Sequence, residues 1–227
     1  QRRTGLTEAV VTGSCAIGGS VAVLIVLDFG FMGGSMGCVV GEKVALAFEY
    51  AVKRKRPVVA VVTSGGARIQ EGALSLMQMA KAAIATGRLH AKGLPFISVL
   101  ANPTTGQAYA SFANLSDIIL AEPGAIVGLA PMRSLKDASD KPLPSGSHTA
   151  EAHLDHGMLD VVVDRAQLRD LLAVLLDLLG FHYRLTARQK PQQPEGEAPR
   201  PHAWDSVQLA RHKSRPTSLD YIGRIVT

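Results

Sequence analysis

Apolar residues in this chain form short unbroken runs ending in glycine, and each run leads into a longer segment where they recur every three or four positions. Val21-Ala22-Val23-Leu24-Ile25-Val26-Leu27 is continuous and β-branched, so Gly19 to Phe29 reads as a buried strand. It opens into Phe31-Met32-Gly33-Gly34-Ser35-Met36-Gly37. From Val39 to Arg56, Val40, Val44, Ala47, Phe48 and Ala51 then keep helical spacing, which stops at Pro57. A second cycle predicts a strand from Pro57 to Thr63 and a turn at Ser64-Gly65-Gly66-Ala67-Arg68. Its helix runs from Gln70 to Leu89, with Leu74, Met77, Ala80 and Ile84 on one stripe. A third predicts a strand from Pro95 to Leu100, a turn at Asn102-Pro103-Thr104-Thr105-Gly106 and a helix to Leu115. Short strands at Asp117 to Ala121 and Ala125 to Leu129 precede a Pro-, Ser- and Lys-rich loop from Pro131 to Ser147. A short helix ending near His156-Gly157, a strand from Leu159 to Val163 and a helix from Arg165 to Leu179 complete the pattern.

Repetition of strand, glycine turn and helix predicts an α/β fold with largely parallel strands and right-handed crossovers. Residues 188–201 break the rhythm: Pro191, Pro194, Pro199 and Pro201 among Gln, Glu and Arg cannot build a core and read as a linker. The expected domains are therefore 1–187, the linker 188–201 and a separate region 202–227. Trp204 to Ile222 is apolar enough to pack on something but too short to fold alone.

Composition narrows the setting. At 47% hydrophobic residues and a mean hydropathy of +0.16 the chain can bury a core. Its longest apolar run, Val21 to Leu27, falls short of the roughly 20 residues of a membrane span, so a soluble protein with no membrane partner is expected. Cys15 and Cys38 make neither a disulfide framework nor a zinc spacing, which fits a reducing, cytoplasmic setting. Gln1 to Gly5 lack a signal-peptide run and an initiator Met, as expected of an excised piece. The net charge of +5 is locally concentrated, notably in Lys53-Arg54-Lys55-Arg56. With only 5% aromatic residues to interleave, that cluster reads as a solvated helix end before an anion site, and nucleic-acid binding is not expected.

Conventional catalysts are scarce. Ser64 is not in a GxSxG elbow, no triad spacing is evident, and His153 and His156 have no third metal ligand in view. Arg68 and Glu71 read first as a local ion pair complementing a helix N-terminus. The glycine turns present backbone N–H groups beside helix starts, a composition suited to oxyanions or enolates, although none is a phosphate loop or dinucleotide fingerprint.

The longer motifs carry a resemblance. Asp28 to Lys43 (DFGFMGGSMGCVVGEK), Thr63 to Gly72 (TSGGARIQEG) with Leu74 to Met79, Asn102 to Gly106, Ala121 to Ala125 and His156 to Asp160 closely resemble, in order, the carboxyltransferase β subunits of bacterial acetyl-CoA carboxylase. Trp204 to His212, with Arg215 to Ile222, is similar to the start of the α subunit, so the chain resembles a β–α fusion. The resemblance implies a crotonase-like (ClpP/crotonase) fold of repeated ββα units. It also implies carboxyl transfer from carboxybiotin, borne on a carrier protein, to the α-carbon of acetyl-CoA, giving malonyl-CoA. Implied partners are an α-type half, a biotin carboxyl carrier protein and biotin carboxylase, in an oligomer whose active site lies between β and α halves.

By the same resemblance, Gly106 and Gln107 supply backbone oxyanion donors, and Gly33, Gly34, Ser64, Gly65, Gly66, Ala67 and Arg68 shape the acyl-CoA site. Gln107 stands where the family has a second glycine, which keeps the N–H but adds a side chain able to crowd a biotin ureido ring. Gly30 replaces a common arginine, and the family's four-cysteine zinc ribbon is not in these residues, so no metal is expected here. Alternatives on the same fold are a biotin-independent malonyl-thioester decarboxylase, a specialised-pathway carboxyltransferase and a non-catalytic assembly or regulatory partner.

Overall fold

A seven-stranded sheet organises the chain in this computed structural model, which describes residues 4–130 and 146–180. Those residues fall in one unit, Gln1–Tyr183, while the expected linker and the region 202–227 lie outside the described residues. Strands β1 (Val10–Ile17) and β2 (Ser20–Leu27) form an antiparallel hairpin. Its loop is Gly18-Gly19 at φ 57° and 90°, the left-handed pair that a two-residue hairpin of matching twist requires. β1 escapes the sequence reading because glycine, serine and cysteine interrupt its apolar residues and most of them are not buried, as befits an edge strand.

The parallel part follows in the order β2, β3 (Val58–Ser64), β4 (Phe96–Thr105), β5 (Ile118–Ala121). Strand β6 (Val127–Gly128) pairs with the far end of β4, and β7 (Val161–Val162) lies beyond β5. Crossovers run through α1 (Cys38–Arg54), α2 (Ala73–His90) and the short α3 (Gln107–Ser111), and α4 (Ala150–Asp155) and α5 (Arg165–Leu179) follow.

Continuous apolar strands follow from burial on both faces. In β3, Val58, Ala60 and Val62 enter the core beneath α1 to α3, whereas Val59 enters a second cluster with Leu172 and Leu176 of α5. Phe48 anchors the first core edge-on to Phe96, with ring centroids 5.0 Å apart, and to Phe112 at 6.4 Å. All five stripe residues expected on α1 are buried.

The stripe expected on α2 is overturned. Leu74, Met77 and Ile84 are exposed (58%, 65% and 58%), as is Leu76, and the buried face is Ser75, Gln78, Ala82, Ala85, Thr86 and Leu89. The reason is a close crossing of α1: a Cβ at Gly41 would meet Gln78 at 2.4 to 2.7 Å, so the facing positions of α2 are small or polar. This orientation is tested by a pair of substitutions in urea unfolding. Leu89→Ala, at a fully buried site, is expected to cost about 2–5 kcal/mol, and Leu74→Ala less than about 0.5 kcal/mol.

Candidate functional site

Strands β2, β3 and β4 run in one direction and release the chain at the same edge of the sheet, where open α/β sheets bind ligands. After β2, Met32–Gly34 form a single 3-10 turn with Gly33 and Gly34 at φ 66° and 63°. Gly34 abuts the end of β3 so closely that a Cβ there would lie 2.3 Å from the Thr63 carbonyl oxygen. The second turn is stitched to it: the Gly65 amide donates to Gly33 O at 2.9 Å, and Ser64 Oγ donates to Gly34 O at 2.7 Å. Ser64 Oγ also accepts from the Gly66 amide at 3.1 Å, so this buried hydroxyl serves the turns. Met36 N to Gly66 O (2.9 Å) and Arg68 N to Met36 O (3.0 Å) extend the join as a parallel bridge flanking Ala67.

The third turn meets the second backbone to backbone. A Cβ on Gly106, at φ 64°, would lie 3.0 Å from Gly66 Cα. One on Gly66 would stand 3.7 Å in front of the Gln107 nitrogen. All three glycine turns are therefore brought together, but their amides are not equally free. The Gly106 N–H donates to Gly128 O at 2.9 Å, closing the β4–β6 ladder, and is not a free donor. The amides of Ala67 and Gln107 donate to no acceptor among the described residues, although Gln107 is only 4% exposed. Gln107 opens α3, where the first N–H groups have no partner within the helix, so its amide is available to a ligand atom.

The Gln107 side chain does not project into that gap. Its Nε2 donates to the Ser75 carbonyl oxygen, and its Oε1 lies 3.2 Å from Ser75 Oγ, so the crowding expected from sequence is not present. Ser75 lies within the Leu74 to Met79 motif, but as a lone serine among apolar residues it carries no signal of this contact in the sequence.

Arg68 is 6% exposed and fully committed. Nε and one terminal nitrogen reach Ser35 Oγ (3.2 Å) and Ser35 O (2.9 Å), and the remaining hydrogen bonds go to Glu8 Oε1 (2.5 Å), Glu8 Oε2 (2.8 Å) and Glu71 Oε1 (3.2 Å). These acceptors use all five guanidinium N–H groups, leaving none to hold a substrate phosphate. Glu71 Oε2 accepts from the Cys38 amide at 2.6 Å, so the Arg68–Glu71 pair complements the N-terminus of α1 rather than of its own helix. Burial pushes the Glu8 carboxyl up, but hydrogen bonds from Arg68 and the Ala9 amide, with the charge of Arg68, outweigh it and hold it below the usual value. Glu71 is held low chiefly by the Cys38 amide and thiol. The same Glu71 contact pushes the Cys38 thiol up, opposing the activation that a helix start ordinarily gives.

Elsewhere the sequence expectations resolve simply. The His153 and His156 rings sit with Nδ1 against the carbonyls four residues back, at 3.1 and 2.6 Å, and the described residues hold no His, Cys, Asp and Glu cluster fit for a metal. Lys53-Arg54-Lys55-Arg56 lies at the C-terminal end of α1, facing its negative pole. A cavity of about 870 Å³ beside Lys55, Arg56 and Lys92 opens at the opposite edge of the sheet, away from the glycine turns. No helix among the described residues is long and apolar enough to cross a membrane.

Residues 1–219 match the carboxyl transferase domain. This chain belongs to that family. The carboxyl transferase domain here is 45% identical over 228 residues to the acetyl-coenzyme A carboxylase carboxyl transferase subunits beta/alpha of Salinispora tropica, covering 96% of the chain and 40% of that relative. It is 53% identical over 180 residues to the subunit beta of Desulforamulus reducens, covering 79% of the chain and 62% of the relative. The chain thus spans less than two thirds of the length of either relative. Among solved structures it is similar to transcarboxylase 12S with hydrolysed methylmalonyl-coenzyme A bound (TM-score 0.67, 31% identity, 76% of this chain and 33% of that one). It is also similar to a Pseudomonas malonate decarboxylase hetero-dimer (TM-score 0.68, 25% identity, 76% and 78%). The fold is the α/β crotonase-like fold of these carboxyltransferases.

The buried ion pair of this carboxyl transferase domain generates a pH prediction. With both carboxyls held low in the folded chain, the stability they contribute is complete above 4.5, glutamate's ordinary value, and is lost as pH falls through their lowered values. Glu8→Gln is expected to be less stable than wild type at neutral pH by about 3 kcal/mol, because Arg68 loses its charged partner. Its stability should also fall less steeply below about pH 4.5 in denaturant titrations across pH. An equally steep acid limb in the variant would remove Glu8 from the account.

Proposed function

We propose that this chain is the β-type half of an acyl-CoA carboxyltransferase, acting in an acetyl-CoA carboxylase to make malonyl-CoA from acetyl-CoA. The observation that carries the reading is the pair of open amides, Ala67 and Gln107, at the point where two glycine turns touch. Carboxybiotin, brought on its carrier protein, supplies the carboxyl group and its ureido nitrogen ends with the proton that the acyl α-carbon gives up. The task left to this chain is to make that proton removable. Backbone donors aimed at the thioester oxygen stabilise the enolate from which the new carbon–carbon bond forms, and they need no side-chain acid to do so. The inward-turned Gln107 side chain leaves the outer face of the turn open for the carrier-borne group. Gly33, Gly34, Ser64, Gly65, Gly66 and Arg68 serve by holding the turns together, and Gly106 by its left-handed backbone.

The exposed apolar face of α2, with Ile69 at 82% exposure beside it, supports docking of an α-type half that completes the site. Names of relatives that join β and α in one chain and match 96% of this one support the same partner. On this reading a biotin carrier and biotin carboxylase are further members of a larger oligomer in the cytoplasm. The likeness to malonate decarboxylase favours a second reading, decarboxylation of a malonyl thioester on the same donors. Avidin separates the two. It should abolish malonyl-CoA formation by the reconstituted complex, whereas turnover that survives avidin would favour decarboxylation.

Two further outcomes follow. Proline is tolerated at the first position of a helix, where a ring carbon takes the place of the amide hydrogen, so Gln107→Pro against Gln107→Ala tests the open amide position. Gln107→Pro should turn over about 100- to 1000-fold more slowly than Gln107→Ala at similar melting temperature, and equal rates would dismiss the Gln107 amide. On α2, Leu74→Glu with Met77→Glu should leave the melting temperature of this chain within a few degrees while abolishing association with the α half in light scattering. Unchanged association would place the interface elsewhere.

A further inference from the structure

Ser75 is fully buried as the third residue of α2, and its hydroxyl bonds other segments of the chain rather than its own helix. Its Oγ accepts from the Arg68 amide at 3.0 Å and donates to Met36 O at 2.7 Å, with Gln107 Oε1 at 3.2 Å as the alternative acceptor. Its carbonyl oxygen accepts from Gln107 Nε2. One residue therefore touches all three glycine turns: the first at Met36, the second at Arg68 and the third at Gln107. The two open amides are immediate neighbours of these contacts, Ala67 preceding Arg68 and Gln107 carrying the bonded side chain.

We propose that Ser75 is a positioning residue that holds the three turns in register and so sets where the Ala67 and Gln107 amides point. Ser75 is fully buried, and its place calls for a hydroxyl that accepts from one turn while donating to another, which alanine cannot do. Gln107, which in sequence is a departure from glycine, becomes a tether from the third turn to Ser75, beside the Thr105 hydroxyl that donates to Ser64 O at 3.2 Å. The proposal rests on the carboxyltransferase reading for its kinetic consequence but not for its structural one.

The test uses the full-length protein with its partner subunits, comparing wild type, Ser75→Ala, Ser75→Cys, Gln107→Ala and the Ser75→Ala/Gln107→Ala double variant. Displacement of reacting groups by about 1 Å can cost on the order of 100-fold in rate. Ser75→Ala should therefore lower kcat for carboxyl transfer by about 10- to 100-fold with KM for the acyl-CoA changed by less than about threefold. Ser75→Cys, which keeps a weak donor and acceptor, should fall between it and wild type. The double variant should be slower than either single variant, because Ser75→Ala removes the hydroxyl bonds to Met36 and Arg68 but keeps the carbonyl that accepts from Gln107 Nε2. Hydrogen exchange read by mass spectrometry should show residues 34–37 and 64–68 exchanging faster in Ser75→Ala and residues 105–109 faster in Gln107→Ala, with the β1–β2 hairpin unchanged in both. Exchange altered only within α2, or a raised KM with kcat intact, would overturn the proposal. Should wild type transfer no carboxyl group, the functional reading fails, and the exchange pattern alone decides on Ser75. If Ser75→Ala does not fold, Ser75→Cys carries the same comparison.

Discussion

The architecture of the site depends on one buried cation. Arg68 places a guanidinium with all five N–H groups matched among Glu8 ahead of the sheet, Ser35 in the first glycine turn and Glu71 at the start of α1. A charge this far from water is tolerable only when every donor is answered, so the segments supplying the acceptors are held in place together. The N-terminal segment, two of the turns and the helix that carries the core aromatic Phe48 thereby share a single anchor.

Around that anchor the turns use up most of their own hydrogen-bonding capacity. Gly65 bonds Gly33, Gly66 bonds Ser64, Met36 and Arg68 bond across the bridge, and Gly106 bonds Gly128. Where the second and third turns touch, the amides of Ala67 and Gln107 donate to no acceptor among the described residues, and the Gln107 nitrogen lies 3.7 Å from where a Cβ on Gly66 would stand. Glycine contributes there through its backbone, since Gly66 and Gly106 hold φ at 107° and 64° and a Cβ on Gly106 would lie 3.0 Å from Gly66 Cα. Such a site has rigid donors and no titrating side chain of its own, which suits stabilising charge that develops on a substrate.

The apolar exterior of α2 shows the limit of reading burial from periodicity. Leu74, Met77 and Ile84 keep helical spacing as regular as that of Val40, Val44 and Phe48, but only the latter set meets the sheet. A periodic stripe says that a face will be covered, and by itself cannot say whether by this chain or by another. α2 packs on α1 through Ser75, Gln78, Ala82 and Ala85, positions whose small or polar character hides them from any hydrophobic pattern. Strand β1 was missed for the related reason that an edge strand needs little burial.

Local pattern along the chain determined the strands β2 to β4, the helices α1 and α5, the glycine turns between them and the carboxyltransferase likeness, because each depends on residues close in sequence. Tertiary structure alone decided which amides remain open. Gly106 was expected to donate and is instead paired with Gly128, a partner that the β6 crossover brings alongside. It also decided that Gln107 turns inward and that Ser75 joins the three turns, since those contacts span 32 to 39 residues of chain. A hydrogen bond requires its partners within about 3 Å, and only the assembled sheet, with α2 laid across α1, brings residues so distant in sequence to that separation.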